Sequence, residues 1–204
     1  MVDVKTSKAL SWLLRHGAEK EGLVVHPGGW VRLDDVLSKP KFKKITIDQV
    51  REIVANCPKQ RFALKEEGSV SYIRANQGHS IQVEDTDLEE ITSESLVPHV
   101  VHGTYFRHWN SIKQHGLSRM NRRHIHFAVG LPGEEGVISG MRSSCQIYIY
   151  IDLKKALADG FKFFRSSNNV ILCPGDDVGY LPPQYFLKVV DKKSGKDVLE
   201  TDLQ

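Results

Sequence analysis

The apolar pattern of this chain changes period near its middle, and that change limits the fold more than any other feature. In the first part Leu10 and Trp12-Leu-Leu14 recur at helical spacing, with Gly17 placed as the residue that ends the helix. Gly28-Gly29 marks a turn, Trp30-Val31-Arg32-Leu33 a short extended piece, and 34–37 a brief helix. Thr46 with Gln49 forms a capping box ahead of Ile47, Val50, Ile53 and Val54, which share one helical face; Pro58 stops that helix. Arg61-Phe-Ala-Leu64 and Val70-Ser-Tyr-Ile-Arg74 then read as two strands joined at Glu67-Gly68. Three helices followed by a hairpin is the order of a winged helix, although plain α+β cores share it. From about residue 98 short apolar strands punctuated by Gly and Pro take over: Val100-Val-His102, Ile125-His-Phe127, Gln146-Ile-Tyr-Ile-Tyr-Ile151, Val170-Ile-Leu172 and Phe186-Leu-Lys-Val-Val190. Two helices interrupt them, at 109–115 before Gly116 and at 153–159 before Gly160. The class is α+β, with a second lobe of short mixed strands split into two packed pieces.

The chain has 204 residues, enough for one large domain or two lobes, and is 40% hydrophobic and 26% charged, ordinary for a globular protein. No apolar run approaches the ~20 residues of a membrane span. The N-terminus carries Asp3 and no apolar h-region, so no secretory signal is expected. Three scattered cysteines, Cys57, Cys145 and Cys173, argue against a disulfide scaffold and for a reducing, intracellular compartment. Net charge is only +3, but unevenly spread. Residues 1–83 hold 14 Lys+Arg against 9 Asp+Glu, residues 84–97 hold six acids and no base, and residues 98–204 hold 14 against 10. The acidic strip is either a solvated surface segment or a linker between lobes that face an anionic ligand. The expected organisation is a first lobe at 1–83, an acidic linker at 84–97 and a second lobe at 98–204.

Neither a dinucleotide fingerprint nor a P-loop is present. His124-Ile-His126 and the pair His99 and His102 lack companion ligands at zinc-site spacing, so no metal is expected. The cysteines read as buried, inert thiols. More informative are Arg15-His16 at the end of an apolar helix, Arg61 opening an apolar strand, and Arg122-Arg123-His124 preceding another. Helix-end cations can simply complement the dipole; gathered on one wall, guanidiniums would bind phosphate oxygens bidentately. Ala75-Asn-Gln-Gly-His-Ser80, His102-Gly-Thr104, Ile138-Ser-Gly-Met-Arg142 and Phe164-Arg-Ser-Ser-Asn168 each join Gly or Ser to a hydrogen-bonding side chain. Such loops let backbone approach a ligand closely, and four of them suit a dinucleotide-sized pocket.

With Ser7-Lys-Ala-Leu-Ser-Trp-Leu-Leu-Arg-His-Gly-Ala18, Lys59-Gln-Arg-Phe62, Gln77-Gly-His-Ser80, Val101-His-Gly-Thr104, Arg122-x-His-Ile-His126, Gly136-Val-Ile-Ser-Gly-Met-Arg-Ser143 and Phe164-Arg-Ser-x-Asn168, the chain resembles the tRNA 2′-phosphotransferase family over residues 7 to about 187. The resemblance implies a winged-helix RNA-binding lobe followed by an ADP-ribosyltransferase-like NAD-binding lobe. It implies an enzyme that transfers the internal 2′-phosphate of spliced tRNA, or of other 2′-phosphorylated RNA, to NAD through an ADP-ribosylated RNA intermediate. The implied products are 2′-hydroxyl RNA, nicotinamide and ADP-ribose 1″,2″-cyclic phosphate. The family's catalytic Arg, His, Arg, Arg fall on Arg15, His16, Arg61 and Arg122. NAD contacts fall on Gln77, Gly78, His79, His102, Gly103, Thr104, Ser139, Gly140, Arg142, Arg165 and Asn168.

An arginine-rich, carboxylate-poor set fits the implied chemistry. A phosphate monoester is already an anionic nucleophile, so the site must hold it against a pyrophosphate rather than deprotonate it. Arg15, Arg61 and Arg122 would orient the phosphate, and His16 would hydrogen-bond it or shuttle a proton. The expected partners are RNA, tRNA above all, and NAD consumed as co-substrate, without a metal or a membrane, by a monomer in the cytoplasm or nucleus. Two other readings remain: an ADP-ribosyltransferase acting on terminal phosphates of nucleic acid, and a non-catalytic RNA-binding module.

Overall fold

A computed structural model describes residues 4–83 and 88–199, and the chain divides into two compact units, residues 1–87 and 88–204. In the first unit, α1 (Val4–Trp12) runs without a break into a π-helical turn, Leu13–Gly17. Gly17 is therefore not a left-handed cap, as its place after the apolar stripe suggested. A Cβ there would lie 2.6 Å from the Trp12 ring, so the residue is small to let that ring lie across the turn. A 3-10 turn (Pro27–Gly29) leads to β1 (Val31–Arg32), α2 (Leu33–Leu37) and α3 (Ile47–Ala55). The capping box on α3 forms as expected: Gln49 N donates to Thr46 Oγ1 (3.2 Å) and Thr46 N to Gln49 Oε1 (2.9 Å). The hairpin β2 (Phe62–Glu67) and β3 (Val70–Ala75) completes a three-stranded antiparallel sheet in the order β1-β3-β2. Its core gathers Leu10, Leu13, Leu14, Val50, Phe62 and Ile73, all buried.

Of the acidic strip, 84–87 lie outside the described residues, and 88–97 belong to the second unit instead of forming a free linker. Glu89–Glu90 is a strand, β4, and the buried apolar Ile91 and Val97 anchor the acids around them to that unit's core. The elements that follow are β5 (Val101–Thr104), α4 (Phe106–His115), β6 (Leu117–Ser118), β7 (Ile125–Ala128), β8 (Ile147–Ile151), α5 (Leu153–Ala158), β9 (Phe164–Arg165), β10 (Val170–Cys173), β11 (Tyr180–Leu181) and β12 (Phe186–Asp191). Seven strands form one sheet, β12-β8-β5-β7-β10-β9-β4, and β11-β6 pair separately. The expected mixed strands are antiparallel throughout. Between β5 and β7 the chain passes through α4 and then β6, and the extra element returns β7 antiparallel where a lone crossover helix would return it parallel. Ile147, Ile149 and Ile151 of β8 face the main core with Trp109, Phe127 and Phe163, while Tyr148 packs into a smaller cluster with Val101 and Cys145. Gly116 and Gly160, both at φ +90°, end α4 and α5 where the sequence placed them.

Candidate active site

Three of the four expected catalytic residues belong to the first unit, and one loop, 76–80, holds them. Arg15 and His16 sit in the π turn, a geometry that recurs at functional sites because it displaces side chains from the regular helical track. Ser80 N donates to the Arg15 carbonyl (2.9 Å), and the Ser80 hydroxyl lies 2.8 Å from His16 Nδ1. Gly78, at φ +89°, turns the loop so that the Arg15 guanidinium lies against its backbone; a side chain there would start 3.4 Å from Arg15 Nε. At the other end Asn76 N donates to the Arg61 carbonyl (2.9 Å), and Asn76 Nδ2 to that of Gln60 (2.6 Å). Gln60 takes φ +43°, and Arg61 Nη1 contacts Cys57 Sγ at 3.5 Å. Four residues of chain reach at most ~14 Å, so the loop keeps Arg61 near Arg15 and His16. Gln77 is half-buried, and His79 is buried against Gly29, a packing position.

In the second unit the expected residues converge on β5 and β7. His102 Nδ1 donates to the His126 carbonyl (2.9 Å), which places the proton on Nδ1. Burial holds the His102 pKa below its ordinary value, and the Arg122 charge acts the same way, so the ring is neutral near pH 7. The Arg122 pKa is lowered by desolvation of its guanidinium and by the charge of Arg142, although the side chain as a whole is exposed. Two guanidiniums and an imidazole thus share one neighbourhood. The segment carrying Ser139, Gly140 and Arg142 reaches it because two glycines permit contact. A Cβ on Gly140 would lie 2.7 Å from Ala128 Cα and from the Phe127 carbonyl oxygen, and one on Gly103 would lie 3.0 Å from Met141 Cβ and Cys145 Sγ. Thr104 is buried on the same strand.

Arg165 and Asn168 stand differently. Arg165 Nη2 donates to the Leu96 carbonyl and Nη1 lies 3.9 Å from Glu89, so this side chain ties 89–96 to β9. Asn168 is fully buried and accepts from the Ser166 hydroxyl (2.8 Å) inside a turn. Two residues outside the expected set belong with it: Ser80, and Tyr105, whose hydroxyl bonds Ser144 Oγ (2.8 Å) and Arg142. Ser80 was visible inside its motif; nothing local marks Tyr105. The three thiols are buried and free, and burial pushes Cys173 up to about 12, as expected of inert cysteines. Among the described residues no three His, Cys, Asp or Glu side chains cluster as metal ligands, and no helix is long and apolar enough to cross a membrane.

Fold and site together define a class: an α+β protein whose candidate groups are guanidinium and imidazole, suited to gripping phosphate oxygens. The model of the RNA 2′-phosphotransferase, Tpt1 / KptA family matches residues 1–175. The chain belongs to that family, and it is an enzyme, a transferase. It is 51% identical over 188 residues to tRNA 2′-phosphotransferase 1 of Danio rerio, covering 90% of this chain and 84% of the relative. It is 50% identical over 187 residues to tRNA 2′-phosphotransferase 1 of Homo sapiens (90% and 74% covered) and 41% identical over 209 residues to tRNA 2′-phosphotransferase of Saccharomyces cerevisiae (98% and 89%).

Proposed function

We propose that the enzyme removes an internal 2′-phosphate from RNA, tRNA above all, by passing it to NAD through an ADP-ribosylated RNA intermediate. The first unit is the RNA-binding lobe, a winged helix, supported by its three helices, hairpin and β1-β3-β2 sheet. The second is the NAD lobe, of the ADP-ribosyltransferase type. The observation that carries the reading is the pair of cationic clusters: Arg15 and His16 fastened to Gly78 and Ser80, and Arg122 and Arg142 beside a neutral His102. Such groups stabilise charge moving between phosphate oxygens, and they need no base because the phosphate monoester is already anionic.

The residues of the second unit fit a dinucleotide. The side-chain-free faces of Gly103 and Gly140 let the 139–145 segment lie flat on the sheet, and Arg142 supplies charge for a pyrophosphate. With its proton on Nδ1, neutral His102 presents Nε2 as an acceptor for a ribose hydroxyl. NAD, when bound, supplies an electrophilic ribose carbon with nicotinamide as leaving group. Arg15, Arg61 and Arg122 neutralise and orient the phosphate, and His16, fixed through Ser80, hydrogen-bonds it. The test is incubation with NAD and a 2′-phosphorylated oligonucleotide, with products identified by mass. The expected products are 2′-hydroxyl RNA, nicotinamide and ADP-ribose 1″,2″-cyclic phosphate. ADP-ribose left permanently on a terminal phosphate, or no consumption of NAD, would overturn the reading.

A further inference from the structure

Trp12 is an exposed tryptophan, 43% accessible, on the segment that carries Arg15 and His16. Its ring is fixed, because it lies across Gly17, where any side chain would collide. Beside it is a hollow of about 200 Å³ lined by Trp12, Leu13, Lys39, Pro40, Lys41 and Phe42. Lys41 Nζ stands 5.0 Å from the centre of the Trp12 ring. Phe42 is buried in the core and pins the 39–44 segment, so that its neighbours Lys41, Lys43 and Lys44 are held exposed. Four lysines thus fall within six residues, with no acid among them. Glu21 is the acid in the lining, and Lys39 Nζ donates to its backbone carbonyl (2.5 Å).

None of this serves the phosphate cluster directly, and a purely structural role does not call for an open indole with an ammonium group over its ring and further exposed lysines on the adjoining segment. We infer that Trp12 with Lys41, Lys43 and Lys44 forms a docking site for RNA next to the reacting 2′-phosphate, the indole stacking on a base and the lysines pairing with backbone phosphates. The chemistry is that of single-strand binding, in which an aromatic face accepts any base and a basic border tracks the backbone. Trp12 and His16 are four residues apart, so at most ~14 Å of chain separates them, and the base bound is a near neighbour of the modified nucleotide. The hollow is small for a whole dinucleotide but suits the edge of one base. The inference rests on the reading of the chain as an enzyme acting on RNA.

Two measurements on the full chain keep it separate from that reading. The first is independent of catalysis: anisotropy of a short, dye-labelled, unphosphorylated single-stranded RNA. Lys41→Glu with Lys43→Glu, both exposed positions, should weaken binding at least tenfold and lower the dependence of log affinity on log salt by about one for each contact removed. The second is turnover of a 2′-phosphorylated oligonucleotide. Trp12→Ala should raise KM for RNA roughly tenfold while kcat and KM for NAD stay within about twofold, and Trp12→Phe should restore most of the loss. Unchanged RNA affinity and salt slope in the double lysine variant, or a fall in kcat at constant KM for Trp12→Ala, overturns the docking site. If the wild-type enzyme binds the unphosphorylated RNA through these residues but processes no 2′-phosphate, the docking site stands and the proposed reaction fails.

Discussion

Replacing Gly140 by alanine tests whether the 139–145 segment owes its position to the missing side chain. Two costs are separable. At φ +114° an L-residue is strained by about 1–2 kcal/mol. The new methyl group would also meet Ala128 Cα, Phe127 O and Ala128 N at 2.7, 2.7 and 2.8 Å. All three are backbone atoms of a central strand and cannot swing aside, so overpacking adds about 1–3 kcal/mol. The control is Gly133→Ala, at φ +97° with nothing within 4 Å of its Cβ, which carries the strain alone. For a chain of this size each kcal/mol moves Tm by about 2–4 °C. Gly140→Ala should therefore lower Tm by about 4–20 °C, and Gly133→Ala by about 2–8 °C, in parallel calorimetric scans. Titration calorimetry should also show NAD affinity falling in the Gly140 variant and unchanged in the Gly133 variant. Equal Tm shifts would mean that the segment does not rest on β7, and the reasoning about the cradle would fail with it.

Arg122→Ala should slow turnover about 10²–10³-fold and accumulate ADP-ribosylated RNA in a mass-resolved time course, whereas Arg123→Ala should keep the wild-type product profile; wild-type kinetics for Arg122→Ala would refute the assignment. Because burial holds the folded His102 pKa below 6.5, the unfolded chain takes up a proton that the folded chain resists. Its contribution to stability is thus complete above about pH 6.5 and is lost as pH falls toward the folded pKa, so His102→Gln should shrink the Tm difference between about pH 8 and about pH 5. An unchanged difference would show that His102 titrates normally. Activity should survive a chelator, since guanidiniums supply the charge that Mg²⁺ supplies in kinases; loss on chelation with rescue by Mg²⁺ would contradict this.

What could be read from the sequence was whatever a short stretch decides for itself. The Thr46 and Gln49 cap, the helix-ending glycines at 116 and 160, and the short apolar run of β8 are local signals, and each appears where expected. What escaped is set by partners distant in sequence. Glu89 and Glu90 are poor strand formers that become β4 only because β9 pairs with them, Arg165 opposite Glu89. The same pairing commits Arg165, whose motif suggested a ligand contact, to Glu89 and Leu96. The candidate site shows the same division. Motif spacing brought out Arg15, His16 and the loop around Gly78, but the bond between Ser80 and His16 spans 64 positions and that between Tyr105 and Ser144 spans 39. The π turn was hidden for another reason: five residues are too few for a change in helical period to show in the apolar pattern.

That turn makes the segment tolerant of a change in length that a regular helix would not absorb. A π turn spends one more residue per turn than the α-helix around it, so deleting a single residue between Trp12 and Arg15 would let the segment relax to ordinary α geometry while the residues beyond it keep their angular phase. Inside an unbroken α-helix the same deletion would rotate everything downstream by about 100°, the angle one residue subtends. The cost would fall on the core instead, because Leu13 and Leu14, the residues available for deletion, are both buried. The turn is in effect slack in the winding: it stores one residue that the chain does not need in order to keep its direction.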